Sequence, residues 1–181
     1  MNPWHDVESG EDVPEEVNVI IEVPKNSTLK YELDKRTGLI KLDRVLYSAV
    51  HYPGDYGFIP RTYWEDKDPL DIIVLSNFPV YPLTIVRARP IGVIRLKDNN
   101  ENDDKIVAVH ARDPRFDRYR DITDVPEHVM AEIKHFFETY KQLQNKHVTV
   151  LSIENGAVAR KIVMQGITLY KKNFNRKNKK R

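Results

Sequence analysis

An α+β fold is expected from this chain on three observations. Strand-like runs fill the first two-thirds, helical periodicity is confined to the last third, and no internal repeat or low-complexity linker divides the two. With 181 residues, 40% of them hydrophobic, the chain can build one compact domain with its own core. A single domain is expected over residues 1–174, with 175–181 as a basic, disordered tail.

Residues 17–23, "VNVIIEV", are rich in β-branched side chains and end at Pro24, so they read as a strand. "KYELD" at 30–34 and "LIKLD" at 39–43 flank a turn from Lys35 to Gly38 and read as a hairpin. Further strand-like runs follow at 72–75, 84–88, 91–96 and 105–109, separated by Pro, Gly or Asn/Asp clusters. The period then changes. In "DVPEHVMAEIKHFFETYKQL", residues 124–143, Val129, Ile133, Phe136, Tyr140 and Leu143 recur at three- and four-residue spacing, with Asp124 as the expected cap. A second helix is expected from about Asn155, with Ala159, Val163, Ile167, Tyr170 and Phe174 on its apolar face. Short strands closed into a barrel and covered by two helices is the simplest packing of these elements.

Composition removes several function classes. Cysteine is absent, which excludes disulfides, thiolate nucleophiles and Cys-based metal sites. No apolar run approaches the roughly 20 residues that span a bilayer, and the first residues lack a basic segment followed by an apolar one. A soluble, cytoplasmic protein without a membrane partner is expected. The formal charge is +2, but the last eleven residues carry seven Lys or Arg, which leaves residues 1–170 at −5. Such a tail can bind nucleic acid, although terminal basic runs are more often solvated ends.

The densest chemistry lies in "WEDKDPLDIIVL", residues 64–75, where Asp66, Asp68 and Asp71 stand beside Glu65 and run into an apolar strand. Carboxylates repel one another, so this density calls for a cation. Pro69 disfavours helical geometry at Asp68, which makes the segment a loop able to aim several carboxylates at one point. Hard divalent ions take oxygen ligands of this kind. A second acidic stretch, "KDNNENDDK" at 97–105, imitates the start of an EF-hand but has Asp103 where Gly is needed and Val109 where a bidentate Glu is needed. It reads as a polar hairpin loop that offers Asp98 and Asp103 as further carboxylates. Lys30, Arg44, Tyr52, Tyr56, Tyr140 and Lys141 together can form a phosphate cradle, since Arg forks onto phosphate oxygens, Lys supplies a point charge and Tyr donates hydrogen bonds. The nucleotide-binding glycine loops, G-x-S-x-G and H-E-x-x-H are all missing, and a two-carboxylate glycosidase would leave the other aspartates and the cations without a role.

These residues resemble the soluble family I inorganic pyrophosphatases, of prokaryotic type, through "IEVP", "KYE", "LDR", "YPGDYGFIP", "DKDPLD", the Asp98–Asp103–Lys105 segment and "HFFETYK" in that order. The resemblance implies a five-stranded OB-like β-barrel flanked by two main helices. The implied reaction is hydrolysis of pyrophosphate to two orthophosphates by attack of a metal-activated water, with several Mg²⁺ ions per site. It implies Asp66, Asp71, Asp98 and Asp103 as metal ligands, Asp68 as the base, and Lys30, Arg44, Tyr56, Tyr140 and Lys141 on the phosphates. Glu22, Glu32 and Lys105 would support the site, and the assembly would be a homo-oligomer, commonly a hexamer. Lys67 departs from the family, which usually has Gly or another small or acidic residue there, and Asn99 replaces a common acid. Two rival readings are a nucleic-acid-binding OB-like module and a hydrolase of other phosphoanhydrides. The first wants a basic, aromatic barrel face, whereas this sequence concentrates acid.

Overall fold

A computed structural model describes residues 1–99 and 101–174; the basic tail expected at 175–181 lies outside the described residues. A short helix α1 (Pro3–Asp6) opens the chain, followed by β1 (Val17–Val23), β2 (Leu29–Leu33), β3 (Ile40–Val45), β4 (Asp55–Phe58), β5 (Asp71–Leu75), β6 (Ile85–Asp98), β7 (Glu101–Asn102) and β8 (Lys105–His110). Then come α2 (Glu127–Thr139), β9 (Val148–Asn155) and α3 (Gly156–Phe174). Strands β1, β4, β5, β8 and β6 are hydrogen-bonded in that order, and β6 pairs back onto β1, which closes a five-stranded ring. The pairings are antiparallel except β5–β8, which is parallel. β9 adds to β6 outside the ring, and β2–β3 forms a separate hairpin. The expected α+β, OB-like barrel with two main helices is the architecture found.

The continuous apolar runs of β5 and β8 follow from what covers their two faces. Ile73 and Val107 pack with Phe136 and Phe137 of α2, whereas Ile72, Val74 and Ile106 pack with Ala159 and Val163 of α3. A strand buried on both sides has no reason to alternate with polar residues, and each such aliphatic side chain contributes about 1.5–3 kcal/mol by leaving water. Gly57 is fixed by strand packing: a Cβ there would come within 1.9 Å of the Ile20 carbonyl oxygen on β1.

Four local expectations need correction. Runs 84–88 and 91–96 are one long strand, β6, bent by an irregularity between Pro90 and Gly92. Pro90 cannot donate to a ladder, but a bulge absorbs it. α2 ends at Thr139 and leaves Leu143 exposed in a 3₁₀ turn, so the apolar spacing overran the helix. Asp124 does not cap α2, whose first turn follows Pro126; its carboxylate instead accepts from the backbone N–H groups of Arg120 and Asp121 in a preceding 3₁₀ turn. Strands β4 and β9 were not anticipated: β4 is only four residues and includes Gly57, and the exposed face of β9 carries Leu151 and Ile153 where a polar alternation would signal a strand.

Candidate active site

One end of the ring carries a cavity of about 220 Å³ into which six separate elements project chemistry. β1 supplies Glu22, β2 supplies Lys30 and Glu32, and β4 supplies Tyr56. The loop before β5 supplies Asp66 and Asp68, and β5 itself begins with Asp71. Asp103 and Lys105 arrive at the start of β8, while Tyr140 and Lys141 follow the end of α2. Eleven of the thirteen residues expected at a site therefore line this cavity. Arg44 and Asp98 stand beside it: Arg44 is the cross-strand partner of Lys30, and Asp98 forms an ion pair with Lys141.

Strand register explains the acidic wall. Asp71 and Lys105 are opposite each other in the parallel β5–β8 pair, so the ammonium lies 2.5 Å from Asp71 Oδ2 and also pairs with Asp103. Tyr56 Oη donates to the same Asp71 oxygen at 2.7 Å. In the preceding loop, Asp66 Oδ1 accepts from the Asp68 backbone N–H at 3.0 Å, and Trp64 N–H donates to the Asp68 carbonyl at 2.8 Å. These bonds wind 64–68 into a tight turn with Lys67 at φ +70°. Asn102 Nδ2 donates to Glu65 Oε2 at 2.7 Å, tying the turn to the second acidic stretch.

The result is convergence: Asp66, Asp71 and Asp103 each present a carboxylate oxygen, all within 4.8 Å of one another. Asp68 is not part of that cluster. Its side chain is 51% exposed at the rim, where it pairs with Lys35, a lining residue that the sequence did not single out because Lys in a turn is ordinarily solvated. Glu22 is buried and accepts from the Leu33 backbone N–H at 2.7 Å, fastening the β2–β3 hairpin to the barrel.

Electrostatics follow from this crowding. Burial pushes the Glu22 carboxyl up to about 8, against the opposing hydrogen bond from Leu33. Burial, then the Asp71 charge, lifts Asp66 to about 7. Asp71 is raised by burial and by Asp103, with Lys105 opposing. For Lys105, burial alone would favour the neutral amine, but Asp103 and Asp71 outweigh it and hold the proton well above the ordinary range. Protons and one lysine thus stand in for positive charge that three convergent carboxylates demand. Hard oxygen donors, half-buried and this close, suit a divalent cation of the Mg²⁺ class.

Cations line the same cavity or stand beside it. Lys30 contacts Glu32 at 2.5 Å, and Lys141 closes over Asp98. Arg44 donates Nη1 to Asp43, while its buried Nε and Nη2 have no hydrogen-bond partner among the described residues. Two desolvated, unused guanidinium donors are costly unless an anion meets them.

A family model described as "Inorganic pyrophosphatase" matches residues 19–171. The chain is 47% identical over 173 residues to soluble inorganic pyrophosphatase 2 of Chlamydomonas reinhardtii, covering 96% of this chain and 90% of that protein. It is 55% identical over 149 residues to soluble inorganic pyrophosphatase PPA1 of Solanum tuberosum, covering 82% and 71%. Among solved structures, the inorganic pyrophosphatase from Thermus thermophilus superposes with a TM-score of 0.92 at 46% identity, covering 94% of this chain and 99% of that one.

Proposed function

The chain belongs to the inorganic pyrophosphatase family, and from that premise we propose that it hydrolyses pyrophosphate to two orthophosphates with Mg²⁺ held at the acidic wall. The observation that carries this reading is the meeting of both charge signs in one small cavity, which three convergent carboxylates line together with Lys30, Lys141 and Tyr140. Bare carboxylates repel a polyanion. Asp66, Asp71 and Asp103, with Asp98 nearby, would hold several divalent ions, which supply charge neutralisation and make water more acidic at neutral pH.

The side chains divide the remaining work. Lys30, Arg44, Tyr56, Tyr140 and Lys141 bind and orient the phosphates, with Arg44 giving its two unpartnered donors. Burial keeps the Tyr56 and Tyr140 hydroxyls protonated, so they remain donors at neutral pH. As the water oxygen bonds to one phosphorus, Asp68 takes a proton from it. The bridging P–O bond breaks and its electron pair goes to the departing phosphate, where the cationic side chains stabilise the growing charge. Glu22 anchors the hairpin that bears Lys30, Glu32 pairs with the Lys30 ammonium along the same strand, and Lys105 holds Asp71 and Asp103 in place.

The cavity volume favours a small polyanion over a nucleotide, since drug-sized ligands occupy roughly 300–1,000 Å³. Its carboxylate wall also opposes nucleic acid. Exposed Phe78, Tyr81, Leu83 and Ile85 form an apolar run that supports a homo-oligomer, a hexamer by family likeness, and no helix among the described residues is long and apolar enough to cross a membrane. A cytoplasmic location is part of this reading, resting on the likeness to soluble pyrophosphatases. Phosphate release from pyrophosphate, with Mg²⁺ or with chelator and with ATP as control substrate, tests the activity. Turnover that survives exhaustive chelation, or that prefers ATP, rejects it. Sedimentation at working concentration tests the assembly, and a lone 21.2 kDa species would remove the oligomer.

A further inference from the structure

Resting on the pyrophosphate reading, we propose that Lys35 is a further substrate-binding residue, drawn from Asp68 onto a phosphate when pyrophosphate enters, and that the Met1–Asp6 segment positions it. Lys35 lines the cavity from the β2–β3 turn, and its ammonium pairs with Asp68 across the mouth. Both side chains are about half exposed, at 44% and 51%, so water and salt weaken the pair. A pyrophosphate offers several negative charges where Asp68 offers one. Transfer of the ammonium therefore favours the substrate, and it also uncovers the Asp68 carboxylate that must accept a proton from water.

The turn does not hold Lys35 by itself. Asn2 Nδ2 donates to the Lys35 carbonyl at 2.7 Å, and the Lys35 ammonium sits 5.5 Å from the centre of the Trp4 ring. Such a cation–π contact steers the charge without neutralising it. Further along the turn, a Cβ on Gly38 would stand 2.5 Å from the Met1 carbonyl oxygen, so the first residue packs directly on the turn. The same indole reaches the acidic loop: Trp4 Nε1 donates to the Thr62 carbonyl at 2.8 Å, and Thr62 Oγ1 accepts from the Leu70 N–H at 2.8 Å. Trp4, only 5% exposed, thus touches the supports of both sides of the mouth and fixes the distance from Lys35 to Asp68.

The test compares the parent with Lys35→Met, Lys35→Arg and Asn2→Ala, using pyrophosphate turnover with Mg²⁺ and binding of imidodiphosphate as a non-hydrolysed probe. Losing one partly screened charge contact should raise KM and weaken imidodiphosphate binding by about tenfold for Lys35→Met, with kcat changed far less. Lys35→Arg should recover most of the loss. Asn2→Ala should raise KM by a smaller factor, and that rise should vanish when Lys35 is already Met, since the two act through one contact. Unchanged KM and imidodiphosphate affinity in folded Lys35→Met would overturn the binding role. An equal Asn2→Ala effect in both backgrounds would overturn the positioning role. If the parent released no phosphate from pyrophosphate, the functional reading would fail, and imidodiphosphate binding would still decide whether Lys35 meets a diphosphate.

Discussion

Asp66 and Asp68 are two residues apart in one loop, yet they occupy opposite kinds of environment. Asp66 joins Asp71 and Asp103 in a half-buried cluster whose permanent counter-charge is the buried Lys105, whereas Asp68 sits at the rim against the exposed Lys35. The inner group is crowded, with Lys105 locked between two of its carboxylates; the outer carboxylate has a half-exposed, screened partner. One loop can therefore serve two chemical purposes, because a tight turn at Lys67 sends alternate carboxylates to different depths. The same contrast orders the ways of breaking the site.

The largest expected effect comes from the inner group. Lys105→Met removes the only ammonium within contact of both Asp71 and Asp103 among the described residues and leaves two carboxylates facing each other in a desolvated place. Breaking a buried ion pair on one side costs about 3–5 kcal/mol. Metal-free Lys105→Met should thus lose that much in denaturant unfolding, and Mg²⁺ should return part of it. A loss below about 1 kcal/mol without metal would mean that the cluster is solvated after all.

At the rim the expected effect is on turnover. Asp68→Asn keeps size and one acceptor but cannot take a proton, so turnover should fall by about 10²-fold or more, with little change in metal requirement. Asp71→Asn should instead shift the Mg²⁺ dependence to higher concentration and recover in part there. Hydrolysis measured for both variants across a Mg²⁺ titration separates the roles. Rescue of Asp68→Asn by metal, with none for Asp71→Asn, would reverse the assignment.

A smaller, pH-dependent effect follows from the raised carboxyls. Glu22 at about 8 and Asp66 at about 7 lie above their ordinary values of 4.5 and 3.8, so over that interval the folded, metal-free protein holds more protons than the unfolded chain. Stability then falls as pH rises. The contribution of these groups is fully retained below the ordinary carboxylate range and lost as pH climbs through about 7 to 8. With chelator, Tm should decline from about pH 6 to pH 8.5, and added Mg²⁺ should raise Tm more at the alkaline end, where fewer protons compete for the carboxylates. A Mg²⁺ stabilisation that is equal at both ends would contradict the proton-for-cation exchange.

Much of this site was legible because its chemistry is repulsive without a partner. The crowding of Asp66, Asp68 and Asp71 beside a buried strand calls for a cation, and a basic, tyrosine-bearing set elsewhere in the chain suits a polyanionic ligand. The barrel was legible as strand runs, but its closure by β6 pairing with β1 depends on contacts far apart in the chain and leaves no local signal. Lys35 was hidden for a related reason. Its turn is ordinary in sequence, and its importance arises from where Trp4 and Asn2, some thirty residues earlier, place it. Leu143 shows the reverse error, since its spacing matched a helix that had already ended.

The smallest expected effect concerns the turn that separates the two carboxylates. Lys67 has a φ of +70°, in the left-handed region, where a Cβ crowds the backbone. Holding a non-glycine residue there costs about 1 kcal/mol, and Gly relieves it while adding unfolded-chain entropy of similar size. Lys67→Gly should therefore shift stability by about 1 kcal/mol or less, while Asp66 and Asp68 keep their positions because the Asp66 side chain and the Trp64 and Lys67 backbone bonds hold the turn. Lys67→Val, with a β-branched side chain at the same φ, should lose stability and blur the two depths, weakening the Mg²⁺ dependence and the turnover together. Denaturant unfolding and a Mg²⁺ titration of both variants check this. If Lys67→Val kept the parent's turnover and metal dependence, the turn would not be what sets the two carboxylates apart.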